Sequence, residues 1–257
     1  MENNVLSALA LTVFAGLSTG IGSIIALFAK RTNTKFLSLS LGFSAGVMLY
    51  VSMIEIFFKA REYLSNDNGY ILGYWLCVIA FFAGILTIAI IDFFIPSTES
   101  DIGANKNKQL KRMGIMTALA IAIHNFPEGM ATFTSALKDP YLGIAIAVAI
   151  AIHNIPEGIA TSLPIYFSTG KKLKSFLISF LSGITEPLGA IAAYLLLKPF
   201  FNDTLFGLLF SGVAGIMVFI SLEELIPMAH EYEKSKITII GVIIGMLIMA
   251  LSLLLFA

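Results

Sequence analysis

The chain is built from apolar stretches too long and too numerous for one water-soluble core. Eight of them run roughly Val5–Ala29, Phe36–Phe58, Tyr70–Ile95, Met113–Leu137, Tyr141–Phe167, Ser175–Leu197, Thr204–Ala229 and Ile237–Ala257. A helical bilayer crossing needs about 20 such residues. Unpaired backbone N–H and C=O groups cannot face lipid, so each stretch is expected to be a helix. The short alternating segments of a membrane barrel are absent. Charged residues are 12% of the 257, against about 25% in soluble domains, which leaves too little charge for a water-facing surface. The expected fold is an all-α integral membrane protein with eight transmembrane helices. It forms a single transmembrane domain over residues 1–257, with residues 96–112 as a polar cytoplasmic loop between the third and fourth spans.

Charge sets the orientation and excludes one partner. Twelve of the 16 Lys and Arg fall in loops on one side of the spans, and four (Lys59, Arg61, Lys138 and Lys198) on the other. Basic loops stay cytoplasmic, so both termini are expected to be extracytoplasmic. Met1–Asn4 lacks the basic start of a secretory signal. The net charge of zero argues against nucleic acid as a partner. Cys77 stands alone, so it cannot form an internal disulfide and reads as a packing residue. Gly- and Ala-rich faces on several spans are compatible with homodimer packing.

Two internal repeats go further than hydropathy. Ala45-Gly-Val-Met-Leu-Tyr-Val-Ser-Met-Ile-Glu55 in span two resembles Ala214-Gly-Ile-Met-Val-Phe-Ile-Ser-Leu-Glu-Glu224 in span seven. Leu17-Ser-Thr-Gly-Ile-Gly22 matches Ile184-Thr-Glu-Pro-Leu-Gly189 more weakly. Spans two and seven cross in opposite directions, so the expected arrangement is 3+2+3: inverted repeats of spans 1–3 and 6–8 around a central pair. Secondary transporters are often built this way, with sites near the midplane. In the central pair, His124-Asn-Phe-Pro-Glu-Gly129 recurs as His153-Asn-Ile-Pro-Glu-Gly158, 29 residues later.

That motif carries the chemistry. His and Glu four residues apart share one helix face, and the Asn lies about 100° round the axis. The Pro deletes a hydrogen bond and frees the carbonyl four residues back, at Ile123 and Ile152. The Gly lets a neighbouring helix approach closely. Glu186, in Gly183-Ile-Thr-Glu-Pro-Leu188, also falls mid-span. Each acidic residue at a helix centre costs roughly 2.5–3.5 kcal/mol, so Glu128, Glu157 and Glu186 together need an offset. Spans four to seven contain no Lys or Arg. Protons or a metal cation remain. Two imidazoles with three carboxylates suit zinc or ferrous iron, and the histidines count against calcium or magnesium. Each Glu lies between a His side and an Asn side, which points to two ions. One would be held by His124, Glu128, His153 and Glu157, the other by Asn125, Asn154, Glu128, Glu157 and Glu186. Glu55 toward the outer end of span two, and Glu223, Glu224 and His230 toward the inner end of span seven, would form an acidic path that concentrates cations. Ser52, Met53 and Ser221 are candidate weak ligands along it.

At these residues the chain resembles the ZIP (Zrt/Irt-like) family of divalent metal transporters, in particular its bacterial members. The resemblance covers all eight spans. It implies uptake of Zn2+ as transported substrate, often with Fe2+, Mn2+, Co2+ or Cd2+, into the cytoplasm across the cell membrane. It also implies ligands at His124, Asn125, Glu128, His153, Asn154, Glu157 and Glu186, and alternating access between a transport bundle and a scaffold. Many relatives carry a histidine-rich loop between spans three and four; Ser97–Arg112 has no histidine. Two other readings compete. A membrane-embedded zinc hydrolase could use three histidines and a glutamate base, although HExxH is missing. A passive channel would share the same ligands.

Overall fold

The computed structural model describes residues 2–30, 33–94, 106–138, 140–197, 202–233 and 236–255. Among the described residues every regular element is a helix: α1 Glu2–Leu27, α2 Thr34–Tyr50, α3 Phe57–Asn68, α4 Tyr70–Phe94, α5 Lys106–Lys138, α6 Pro140–Thr169, α7 Lys172–Ala192, α8 Asp203–Phe219, α9 Ile226–Tyr232 and α10 Ile237–Leu255. Among the described residues, seven helical stretches are long and apolar enough to cross a membrane. The 33-residue α5 is not among them. His124, Asn125, Glu128 and the lysines of its first turns dilute its apolar character.

Boundaries differ from the sequence expectation where helix continues past the apolar run. A π-helical turn, Val51–Ile56, joins α2 to α3, so one helical stretch runs from Thr34 to Asn68 over 35 residues. At 1.5 Å per residue that is about 50 Å, well beyond a hydrocarbon core of about 30 Å. The polar end of α3 therefore projects past it. Gly69, with φ 78°, stops the helix in a conformation that other residues adopt reluctantly. The α5 helix begins at Lys106 rather than Met113, because Lys, Gln and Arg are good helix formers even where they are not apolar. Ile95, the expected end of the third span, and residues 96–105 of the expected loop lie outside the described residues. Two further π-helical turns follow: Ala193–Leu197 extends α7, and Ile220–Leu225 joins α8 to α9.

Helices α1, α5, α6 and α7 all touch one another. The second grouping pairs α2 with α10 and α4 with α8, and packs α3 on both α4 and α8. The groups meet mainly where α2 lies on α6 and where α8 and the turn after it lie on α5. Glycines close the crossings of the first bundle. Gly129 abuts the Glu186 carbonyl, Gly189 the Phe126 carbonyl, Gly158 the Thr19 carbonyl and Gly22 the Ile155 carbonyl. A Cβ at any of these would overlap backbone, so the helices sit at backbone contact. These small faces are therefore filled within the chain.

Candidate metal centre

The α5 and α6 helices run unbroken through Pro127 and Pro156. This brings both copies of the motif to one buried place. His124, Asn125, Glu128, His153, Asn154, Glu157 and Glu186 are all buried. The His124 and His153 rings lie 6.2 Å apart between centroids. Glu128 reaches both: one oxygen is 2.9 Å from His153 Nε2 and the other 3.3 Å from His124 Nε2. Glu157 comes within 3.5 Å of His124 Nε2. Ligand atoms of His124, Glu128 and His153 all lie within 4.8 Å of one another, a spacing that one metal ion could bridge.

The asparagines are aimed by their backbone partners. Asn125 donates its amide to the Ser182 carbonyl at 3.2 Å. Asn154 donates to the Ala15 carbonyl at 3.0 Å and also to Glu186. With the NH2 groups held, both Oδ1 atoms stay buried without a hydrogen-bond partner, as do both oxygens of Glu157 and the Oε2 atoms of Glu128 and Glu186. Leaving such a group unpaired costs about 1–3 kcal/mol, more when it is charged. So many oxygens converging without donors describe a receptacle for a cation.

Carbonyls near the prolines find different surroundings. Gly183, four residues before Pro187, turns its oxygen to Gly16 of α1, so closely that a Cβ on Gly16 would overlap it. Around the second motif, Ser44 donates to the Pro156 carbonyl at 2.8 Å, and Ser162 and Ser179 both donate to that of Gly158.

The peripheral candidates are not brought into this cluster. Glu55 pairs with Lys59 one turn on, at the partly exposed end of the π-helical turn. Ser52 donates to the Met48 carbonyl and Ser221 to that of Met217, each in its own helix. Met53, Glu223 and His230 are exposed, so His230 stands apart from the two buried histidines. Glu224 is buried, and Arg112 reaches it at 3.4 Å while holding Asp92 at 2.6 Å. Sequence reasoning found no basic partner for the acids within the spans. Arg112 and Lys59 were missed because both lie just outside apolar stretches whose helices continue to include them.

Comparison with known proteins agrees with this chemistry. Residues 96–253 match the family described as ZIP Zinc transporter. A zinc transporter ZupT of Streptococcus mutans is 59% identical, with all of both chains covered. Proteins of the same name from Lysinibacillus sphaericus and Nitratidesulfovibrio vulgaris are 58% and 55% identical over 99% of each chain. The helices and the relatives together make the chain a multi-pass membrane protein that transports divalent metal and is not an enzyme, and it belongs to the ZIP zinc transporter family.

Proposed function

We propose that this chain carries Zn2+, and with it Fe2+, Mn2+, Co2+ or Cd2+, across the cell membrane into the cytoplasm through a two-ion site. His124, Glu128, His153 and Glu157 hold one ion. Asn125, Asn154, Glu128, Glu157 and Glu186 hold the other. The observation that carries this reading is the set of buried carboxylate and amide oxygens without hydrogen-bond donors, gathered around two imidazoles. Borderline divalent metals take mixed nitrogen and oxygen ligands of this kind. The relatives named for zinc support zinc as the principal cargo.

In this reading the fold has eight spans, α5 included, in a single domain with both termini extracytoplasmic. Its halves are inverted repeats about an axis through the site. Matching contacts support that symmetry. Gly46 meets Val242 as Gly215 meets Phe81, and Gly245 meets Phe43 as Gly84 meets Gly212. Two of the three described π-helical turns fall on the paired sequences of spans two and seven. In the first bundle, Gly129 meets Glu186 as Gly158 meets Thr19, and Asn125 bonds Ser182 as Asn154 bonds Ala15. Repeats of this kind suit alternating access, with the α1, α5, α6, α7 bundle moving against the rest. Saturable Zn2+ uptake into metal-free proteoliposomes tests the proposal. Wild type should fill them, and Glu128→Ala should not; equal uptake by both would refute the site.

A further inference from the structure

The two halves of the site are not chemically equal, and the difference falls on one residue. Gly16 and Gly183 face each other where α1 crosses α7. A Cβ built on Gly16 would meet the Gly183 carbonyl and lie 3.4 Å from Glu186 Cβ. A Cβ built on Gly183 would meet the Gly16 carbonyl and lie 2.9 Å from Thr19 Cβ and 3.0 Å from Thr19 Oγ1. Thr19 therefore holds in α1 the position that Glu186 holds in α7. Asn125 anchors to Ser182, beside Gly183, as Asn154 anchors to Ala15, beside Gly16. Asn154 has Glu186 as a further partner.

Thr19 is fully buried, and its hydroxyl has no hydrogen-bond partner. Thr117, Thr161 and Thr238 share that state, and for Thr19 its cause is visible. A helical hydroxyl normally donates to the carbonyl four residues back, as Thr12, Ser23, Thr87 and Thr132 do here. For Thr19 that carbonyl belongs to Ala15, and it already accepts from Asn154 and Ser18. The hydroxyl is left without an acceptor where α1 crosses α7, facing Gly183, at the place related to that of Glu186 by the matching contacts.

We infer that the Thr19 hydroxyl is a further metal-contacting group, a neutral oxygen that with Asn125 Oδ1 meets the ion or its bound water opposite Glu186. This rests on the two-fold metal-site reading above. One side of the site is then acidic and the other neutral. Hydroxyl and amide oxygens favour hard ions such as Mn2+ over soft ones such as Cd2+, so Thr19 bears on which ions are accepted.

The test uses the full chain in proteoliposomes, with uptake of Mn2+ and of Cd2+ measured separately. Thr19→Val keeps the shape and removes the oxygen. It should lower kcat/KM for Mn2+ about tenfold and leave Cd2+ within twofold. Thr19→Ser should restore Mn2+, and Thr19→Ala should behave like Thr19→Val if the latter inserts poorly. Equal losses for both ions, as a packing role would give, overturn the inference alone, and so does no change in either. Wild type that carries Cd2+ but refuses Mn2+ also overturns it. Wild type that carries neither overturns the transport reading together with this inference.

Discussion

Glu224 and Glu157 are both buried glutamates in apolar helices, and they face opposite circumstances. Glu224 has Arg112 at 3.4 Å, which also binds Asp92. Glu157 has no hydrogen-bond partner on either oxygen and an imidazole rather than a guanidinium beside it, with His124 Nε2 3.5 Å away. An acid with a resident guanidinium is satisfied by the protein itself. An acid without one waits for a cation from solution. On the proposed reading, the comparison separates acids that hold the fold from acids that serve transport, which their shared position in apolar helices does not do.

The largest effect expected on this account comes from the central cluster. Glu128→Ala removes a carboxylate that reaches both imidazoles. Zn2+ uptake should fall at least a hundredfold with the protein still folded, as a flux assay beside size-exclusion chromatography would record. Next is a packing change at the same place. Gly158→Val drives a side chain into the Thr19 backbone, where neither helix can yield cheaply. It should lower the stability of the first bundle by about 1–3 kcal/mol, measured by thermal unfolding in detergent. The paired acid gives a different signature. Arg112→Met leaves Glu224 buried without its partner and should cost about 1–3 kcal/mol, a figure reduced because the pair is partly solvent-exposed. Adding Glu224→Leu should recover most of that loss, since both charges then go together. A double variant no better than the single would mean that Glu224 has another role, and would blur the contrast. The smallest effect belongs to the exposed pair: Glu55→Gln, opposite Lys59, should change stability by less than about 1 kcal/mol and uptake by less than twofold. A large loss of uptake there would return Glu55 to the transport path.

Much of the central site was legible because its signals are local. The HNxPEG repeat fixes helical faces by spacing alone, and its recurrence in adjacent spans predicts that the faces meet. Glu186 was legible through its own proline in mid-span. The partners of Glu224 and Glu55 were not, because hydropathy ends a helix where apolar residues end, whereas Lys106–Arg112 and Lys59–Asn68 remain helical on propensity and packing. Ser52 and Ser221 read as spare ligands in the sequence, but their hydroxyls are occupied by their own helices. Thr19 gave the faintest trace. It stands opposite Glu186 in the weak match of spans one and six, and only three-dimensional contacts show its hydroxyl without an acceptor.

The central claim is that metal sits among the unpaired acids and not among the paired ones. An anomalous-scattering map of crystals soaked with Zn2+ or Cd2+ tests it most directly. The account predicts density between His124, His153, Glu128 and Glu157, with a second peak toward Asn125, Asn154 and Glu186. Ions only at Glu55 or beside Glu224, with the buried cluster empty, would contradict it.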